Sequence, residues 1–414
     1  MRPPSSDWTR LGGLLLVALG TRLAAAVWWQ ARLEPGASFA FPDSQTYWDL
    51  GQALANGEPF QYGSPDASIF RMPGYPWLLS LMFRLLGTDA SVMWARGLGA
   101  VLGTLTVAAL YWLARQMFDR SSALIAAAMA AVYPGAVGMS VFVLSEALFC
   151  PLMLAQLALW AASWQAASRR GSIWLSAASG LLAGLATLTR PSWLAFVPFV
   201  MLAGLVAGGQ RRRHLLLGLA ALAALALAML PWWVRNARLV GHFVPTTLQV
   251  GASLYDGLNP RADGGSDMSF VPRFEALERA NAAAGEPFEY RLDRRLRNEA
   301  IEYARNNPGR ALALAAIKAA RMWNVWPNEA ISGGWLVGLL MLLTYVPALG
   351  LALAGAWKYR RLGWPYALCW LPAGYLTLLH MIFVSSIRYR EPAMLALLVL
   401  SAATVRGVLV SRGE

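Results

Sequence analysis

Asp43 follows Pro42 in the first long polar stretch of the chain, residues 41–76, and Glu146 lies between apolar neighbours in Leu144-Ser145-Glu146-Ala147. Arg71, Arg190, Arg235, Arg238, Arg388 and Arg390 also stand next to long apolar runs. An aspartate at such a boundary can take a proton from a hydroxyl as a general base, or it can simply cap the helix behind it. A glutamate at the start of an apolar run is costly unless it has a partner or a role. Capping that run beside Ser145 is the plainer alternative. Guanidinium groups bind phosphate or carboxylate through paired hydrogen bonds, so arginines that converge would hold an anion. Snorkelling, or pairing with loop carboxylates, would also account for any one of them.

Apolar elements must position these groups. The chain has 414 residues, of which 57% are hydrophobic and 14% charged, and its mean hydropathy is +0.45. A soluble domain carries about 25% charged residues. Several runs approach the roughly 20 apolar residues that span a bilayer. This composition predicts an all-α polytopic membrane protein with about ten transmembrane helices and two interfacial or periplasmic helical loop regions. The alternating short segments of a membrane barrel are absent from the sequence. The formal charge of +13 comes from arginine clusters between the runs, as the positive-inside rule expects, and does not point to nucleic acid. Cys150 and Cys369 fall inside apolar runs, which argues against a disulfide framework or a CxxC metal site. Three scattered histidines do not suggest a dedicated metal centre either.

The first span is expected at 11–29, as an uncleaved signal anchor running outward. An outer loop, 30–88, follows. Its first helix, 44–55, should be N-capped by Asp43 or Ser44 and closed by Asn56-Gly57, and its second should cover 75–86. Spans are expected at 92–117, 123–133, 146–166, 173–188, 193–207 and 215–233. A second polar interval, 234–335, should hold a Gly/Pro/Asp-rich loop at 251–272 and amphipathic helices at 288–306 and 309–323. Spans at 336–357, 364–384 and 393–409 complete the chain. The expected division is an N-terminal transmembrane catalytic module (1–233), a periplasmic loop region (234–335) and C-terminal transmembrane helices (336–414). With both termini cytoplasmic, the arginine clusters fall inside, and the six arginines named above lie outside against that bias.

The early outer aspartate, Arg71-Met72-Pro73-Gly74-Tyr75-Pro76 and Leu144-Ser145-Glu146-Ala147-Leu148-Phe149 together resemble the glycosyltransferase C superfamily. The likeness is to bacterial relatives of protein O-mannosyltransferases, lipid A aminoarabinose transferases and lipopolysaccharide galacturonosyltransferases. Later stretches are similar too: Thr189-Arg190-Pro191, Trp233-Val234-Arg235-Asn236, Gly257-Leu258-Asn259-Pro260 and Arg388-Tyr389-Arg390-Glu391-Pro392. The resemblance implies a polyprenyl-phosphate sugar donor. The acceptor would be an envelope glycolipid, a polysaccharide or a protein, with the membrane lipid as surroundings and no nucleic acid. It implies a bacterial inner-membrane enzyme whose site faces the periplasm. Asp43 would be the base of a single inverting displacement, and Glu146 would orient the acceptor or hold a divalent cation near Asp43. No cofactor is certain, because Asp43 is followed by Ser44 where relatives often carry an acidic pair. Arg71, Arg388 and Arg390, with Arg190 and Arg235 behind, would hold the donor phosphate. Tyr47, Tyr75, Tyr389 and His380 are the substrate-contact candidates, and interfacial packing is the plainer role for His380.

Two other readings share these residues. A transporter or flippase for a lipid-linked or anionic solute should carry ionisable groups at mid-membrane depth, whereas the charges here cluster at span ends. A non-catalytic scaffold should tolerate loss of the outer carboxylates and arginines.

Overall fold

The structure, a computed structural model, describes residues 5–64, 66–281, 285–326 and 334–411, and these form α-helices joined by turns and short 3-10 segments. Helix α1 (Ser5–Gln30) leads into an outer segment with α2 (Pro42–Ala55) and α3 (Gly74–Leu86). Then come α4 (Val92–Met117), α5 (Arg120–Val132), α6 (Pro134–Val141), α7 (Glu146–Gln165), α8 (Arg169–Thr189), α9 (Phe196–Ala207) and α10 (Arg211–Val240). The second polar interval contains α11 (Val250–Gly257), α12 (Val271–Ala280), α13 (Phe288–Asn306) and α14 (Pro308–Met322). Helices α15 (Gly334–Tyr359), α16 (Leu371–Ile382) and α17 (Glu391–Ser411) follow.

Among the described residues, seven helices are long and apolar enough to cross a membrane, or eight crossings result if the bent pair α5–α6 counts as one. The expected ten spans are not confirmed, and proline explains the difference. Pro134 breaks the third expected span, which bends by 55° there. Pro191 opens a short 3-10 turn before α9, and Pro372 lies in the first turn of α16. The 12 residues of α16 extend about 18 Å at 1.5 Å per residue, short of a ~30 Å hydrocarbon core.

Helix α8 packs between α7 and α10, α7 packs on α4, and α17 is held by α15 and α5. Residues Ala393 to Leu400 of α17 are all buried, so this helix, apolar all round, forms a central post. The broken span explains an arginine within the membrane region. Arg22 of α1 is fully buried and donates to the carbonyls of Ala18, Ala130 and Ala131 and to Ser140 Oγ, at 3.0–3.2 Å. Two of those carbonyls are among the ones that Pro134 leaves without helical donors. Arg22 is an exception to the clustering of charges at span ends.

Outside the membrane region, helix ends sit close to expectation. Helix α2 begins with Pro42 in its first turn and ends at Asn56-Gly57, with Gly57 at φ 76°. Its N-cap is Phe41, without a side-chain cap bond, so Asp43 lies inside the first turn and caps nothing. Two glycines permit close approach. A Cβ on Gly51 would come within 2.8 Å of Leu79 Cβ, where α2 crosses α3, and one on Gly74 within 2.8 Å of Leu188 O at the end of α8. The expected loop 251–272 is irregular only after α11 has formed, and α12 begins at its end.

Candidate active site

Four elements bring one end of the bundle together. Asp43 sits in the first turn of α2, Glu146 opens α7, Arg190 is the C-cap of α8, and Arg388 lies in the 3-10 turn before α17. Arg71 reaches in from the loop between α2 and α3. The approach to Glu146 is strained, because Val143 takes φ 57°. That left-handed conformation is rarely adopted by a β-branched residue.

These side chains form a continuous alternation of charge. Arg71 Nη2 donates to Asp43 Oδ1 at 2.6 Å, and Arg388 Nη1 to Asp43 Oδ2 at 3.2 Å. Arg388 then turns its other edge to Glu146, with Nε–Oε1 at 2.5 Å and Nη2–Oε2 at 3.3 Å. Arg190 Nη1 lies 2.5 Å from the same Glu146 Oε1. Glu146 is fully buried and Asp43 side-chain exposure is 33%, so the open end of the chain is at Asp43. Three guanidinium groups against two carboxylates leave one positive charge in excess.

Tyr389 lies beneath this chain, with Arg190 and Arg388 each 5.8 Å from its ring centre. The His380 ring stacks on Tyr389 at 4.3 Å, and its Nδ1 donates to the Val384 carbonyl at 2.8 Å. Tyr47 packs under Arg71 and meets Tyr75 edge-on at 5.4 Å. Burial pushes the Asp43 carboxyl up, but Arg71 and Arg388 outweigh it and hold it below the usual carboxylate range.

Among the residues singled out from the sequence, Asp43, Glu146, Arg71, Arg190 and Arg388 meet, with Tyr389, Tyr47 and His380 around them. Four do not join them, and one of these, Arg238, is exposed in the last turn of α10. Tyr75 is 1% exposed and packs in the α2–α3 core. Arg235 donates to the Ser68 carbonyl at 3.1 Å and lies over Trp232. Arg390 is fully buried, stacked on Tyr345 at 3.6 Å, paired with Glu391 and donating to the Asn324 and Met322 carbonyls. Asp49 of α2 and Glu58 are exposed, and Asp66 pairs with Arg279 at the surface, so these three carboxylates stay outside the site. Among the described residues, no three His, Cys, Asp or Glu side chains gather as a cation site. Guanidinium groups engage the oxygens of Asp43 and Glu146 that would serve a divalent ion.

Sequence reasoning missed two residues around the site, Gln249 and Arg96, and the buried Arg22 at the broken span. Gln249 accepts from Arg71 Nη1 at 3.1 Å. Arg96 donates to Gln30 Oε1 at 2.8 Å and to Ser38 O at 2.8 Å, fixing the exit from α1 towards Asp43. Arg22, lying within an apolar run, carried a readable signal as an ionisable group there. Gln249 and Arg96 carried none.

Residues 70–234 match the family model described as dolichyl-phosphate-mannose-protein mannosyltransferase. The fold is similar to the oligosaccharyltransferase of Archaeoglobus fulgidus in its apo form. The TM-score is 0.62 at 16% identity, over 97% of this chain and 51% of that one. It is also similar to AglB from the same organism in complex with an inhibitory peptide and a dolichol-phosphate, with a TM-score of 0.60 at 16% identity over 97% and 50%. ArnT from Cupriavidus metallidurans, bound to undecaprenyl phosphate, aligns at a TM-score of 0.44 and 17% identity over 93% and 77%. The chain spans about half the length of the oligosaccharyltransferase. No curated protein matches it. The resemblance to the glycosyltransferase C superfamily is borne out by the family model over 70–234 and by the fold.

Proposed function

We propose that this protein is a membrane-embedded glycosyltransferase that moves a sugar from a polyprenyl-phosphate carrier to an acceptor hydroxyl, with inversion, on the outer face of a bacterial inner membrane. The observation that carries this reading is the charge chain Arg71–Asp43–Arg388–Glu146–Arg190 at one end of the bundle, with its partly open aspartate. The family model's dolichyl-phosphate-mannose chemistry and the dolichol-phosphate on AglB support a lipid-phosphate donor. Arginine clusters at Arg169-Arg170 and Arg211-Arg212-Arg213, at the far ends of α8 and α10, support an outward-facing site.

In the reaction, the acceptor oxygen attacks the anomeric carbon as the carbon–oxygen bond to phosphate breaks. The proton passes to an Asp43 carboxylate oxygen, and the lipid phosphate departs with the bonding electrons. The leaving group is already anionic, so guanidinium donors stabilise it and no general acid is required. This is why one base suffices where a glycoside hydrolase needs two carboxylates. Donor phosphate and Asp43 compete for the same arginines. When phosphate draws Arg71 and Arg388 towards itself, Asp43 loses the cations that hold its pKa down, and it becomes a better base as the donor arrives. Glu146, fully buried between Arg388 and Arg190, fixes the geometry of that clamp. Acceptor orientation belongs to the open side of Asp43. The phosphate clamp is Arg71, Arg388 and Arg190, and Arg235 and Arg390 are not part of it.

The test is Asp43→Asn, with transfer from a polyprenyl-phosphate sugar measured in detergent. General-base loss should lower the rate about 10²- to 10⁴-fold while donor binding persists. Full transfer by this variant would remove Asp43 as the base. Translocation of lipid-linked sugar by reconstituted protein, without covalent transfer, would overturn the enzyme reading.

A further inference from the structure

Residues Ser68 and Ile69 lie just before Arg71, and every backbone polar group of the two is held from the second outer region or the end of α10. Ser68 N–H and Ile69 N–H both donate to the Glu289 carboxylate of α13, at 2.9 Å and at 3.0 and 3.1 Å. The Ser68 carbonyl accepts from Arg235 Nη2 at 3.1 Å, and the Ile69 carbonyl from Leu248 N–H at 3.0 Å. Arg71 itself is steadied by Gln249, next to Leu248. Ile69 is fully buried and Glu289 is 8% exposed, so water does not substitute for these bonds.

We propose that Glu289 is a positioning residue for sugar transfer, a carboxylate latch by which the second outer region holds the 68–71 segment and sets Arg71 against Asp43. The proposal rests on the reading of Arg71 as a phosphate-side arginine. An ionised carboxylate is the natural partner of two converging N–H groups. A protonated one keeps its carbonyl oxygen as an acceptor for them and avoids the cost of burying a charge. Burial pushes the Glu289 carboxyl up to about 7, against the two backbone N–H groups and Arg235, which pull it down, while Asp293 adds to the rise. The other charges nearby are Arg71 on the held segment, the Arg279–Asp66 pair between α12 and that loop, and the His242–Glu286 pair beside the start of α13. Because the closed, buried state raises the Glu289 pKa above its ordinary 4.5, protonation favours the closed latch and ionisation through about pH 7 loosens it, whereas the Asp43 carboxyl is held below its own ordinary value.

Amide hydrogen exchange over 62–72 and single-turnover transfer should be measured between pH 5.5 and 8.5 on the full chain in detergent. Wild type should lose amide protection and transfer rate together as pH rises through about 7. Glu289→Gln, which keeps one acceptor, should flatten that dependence at reduced rate, with donor KM changing less than kcat. Glu289→Ala should exchange at Ser68 and Ile69 about 10- to 100-fold faster, the loss expected for hydrogen bonds to a charged acceptor. His242→Gln should leave the profile in place. Wild-type protection and pH dependence in Glu289→Gln would overturn the latch, as would a profile that moves with His242. Exchange reads the latch whether or not transfer occurs. A protein whose exchange responds to Glu289 but which transfers no sugar would fault the proposed function and leave the latch standing.

Discussion

Asp43 sits between Arg71 and Arg388, and its titration has a definite sign. Its pKa is lower in the folded protein than in the unfolded chain, so it contributes stability above its ordinary value of 3.8 that is lost as pH falls through the lower folded value. An acid limb from Asp43 should therefore lie below pH 4, and Asp43→Asn should abolish that limb in thermal melts recorded against pH. Glu146 differs in burial. Glu146→Ala leaves Arg190 and Arg388 facing each other without a carboxylate, and breaking a buried pair costs about 3–5 kcal/mol. A large fall in detergent melting temperature is expected, smaller for Glu146→Gln. Arg388→Lys keeps the charge but cannot bridge both carboxylates, so transfer should drop by roughly tenfold or more with the fold intact. Residue types disclosed the five members of the charge chain, because charges beside apolar runs are conspicuous. They did not separate Arg388 from Arg390, two positions apart, of which one enters the site and the other turns into the core against Tyr345 and Glu391.

At the scale of elements, the outer helices place the base. The Cβ of Gly51→Val would strike Leu79 and Phe83, and overpacking of this kind costs about 1–3 kcal/mol. Because α2 carries Asp43, transfer should fall with stability, and a melt paired with a turnover assay checks both. Arg22→Leu tests the broken span. Its loss strands carbonyls at Ala130 and Ala131, each costing about 1–3 kcal/mol when buried unpaired, so the melting temperature should drop. Helix α13 was legible to the residue, and α3 and α14 to within one residue at each end, because amphipathic period and proline mark their limits. The expected spans at 193–207 and 364–384 were less so. Apolar length alone does not register how proline converts one run into a turn and a short helix.

Across the whole molecule, two outer regions far apart in sequence hold one another. Glu278 of α12 accepts from Arg291 at 3.3 Å and from Arg295 at 2.7 Å, and ties α12 to α13. Glu278→Ala should speed proteolytic cleavage within α12, and its effect on transfer should follow how far α13 and Glu289 move. Folding raises the Glu289 pKa from 4.5 to about 7, so the folded chain, and the latch with it, loses stability as pH rises through that window. The sequence by itself determined the medium and the ingredients. Apolar runs and arginine clusters specify a helical membrane protein, and charges at the runs' ends specify the groups that can do chemistry, because burying them elsewhere would cost too much. Only the tertiary structure decided which of them meet. Asp43, Glu146, Arg190 and Arg388 lie on four elements, and a few degrees of helix rotation decide whether a guanidinium reaches a carboxylate or a carbonyl. The outer stretch around Asp43 and Arg71 depends likewise on Glu289, more than two hundred residues away, a bond that no local pattern announces.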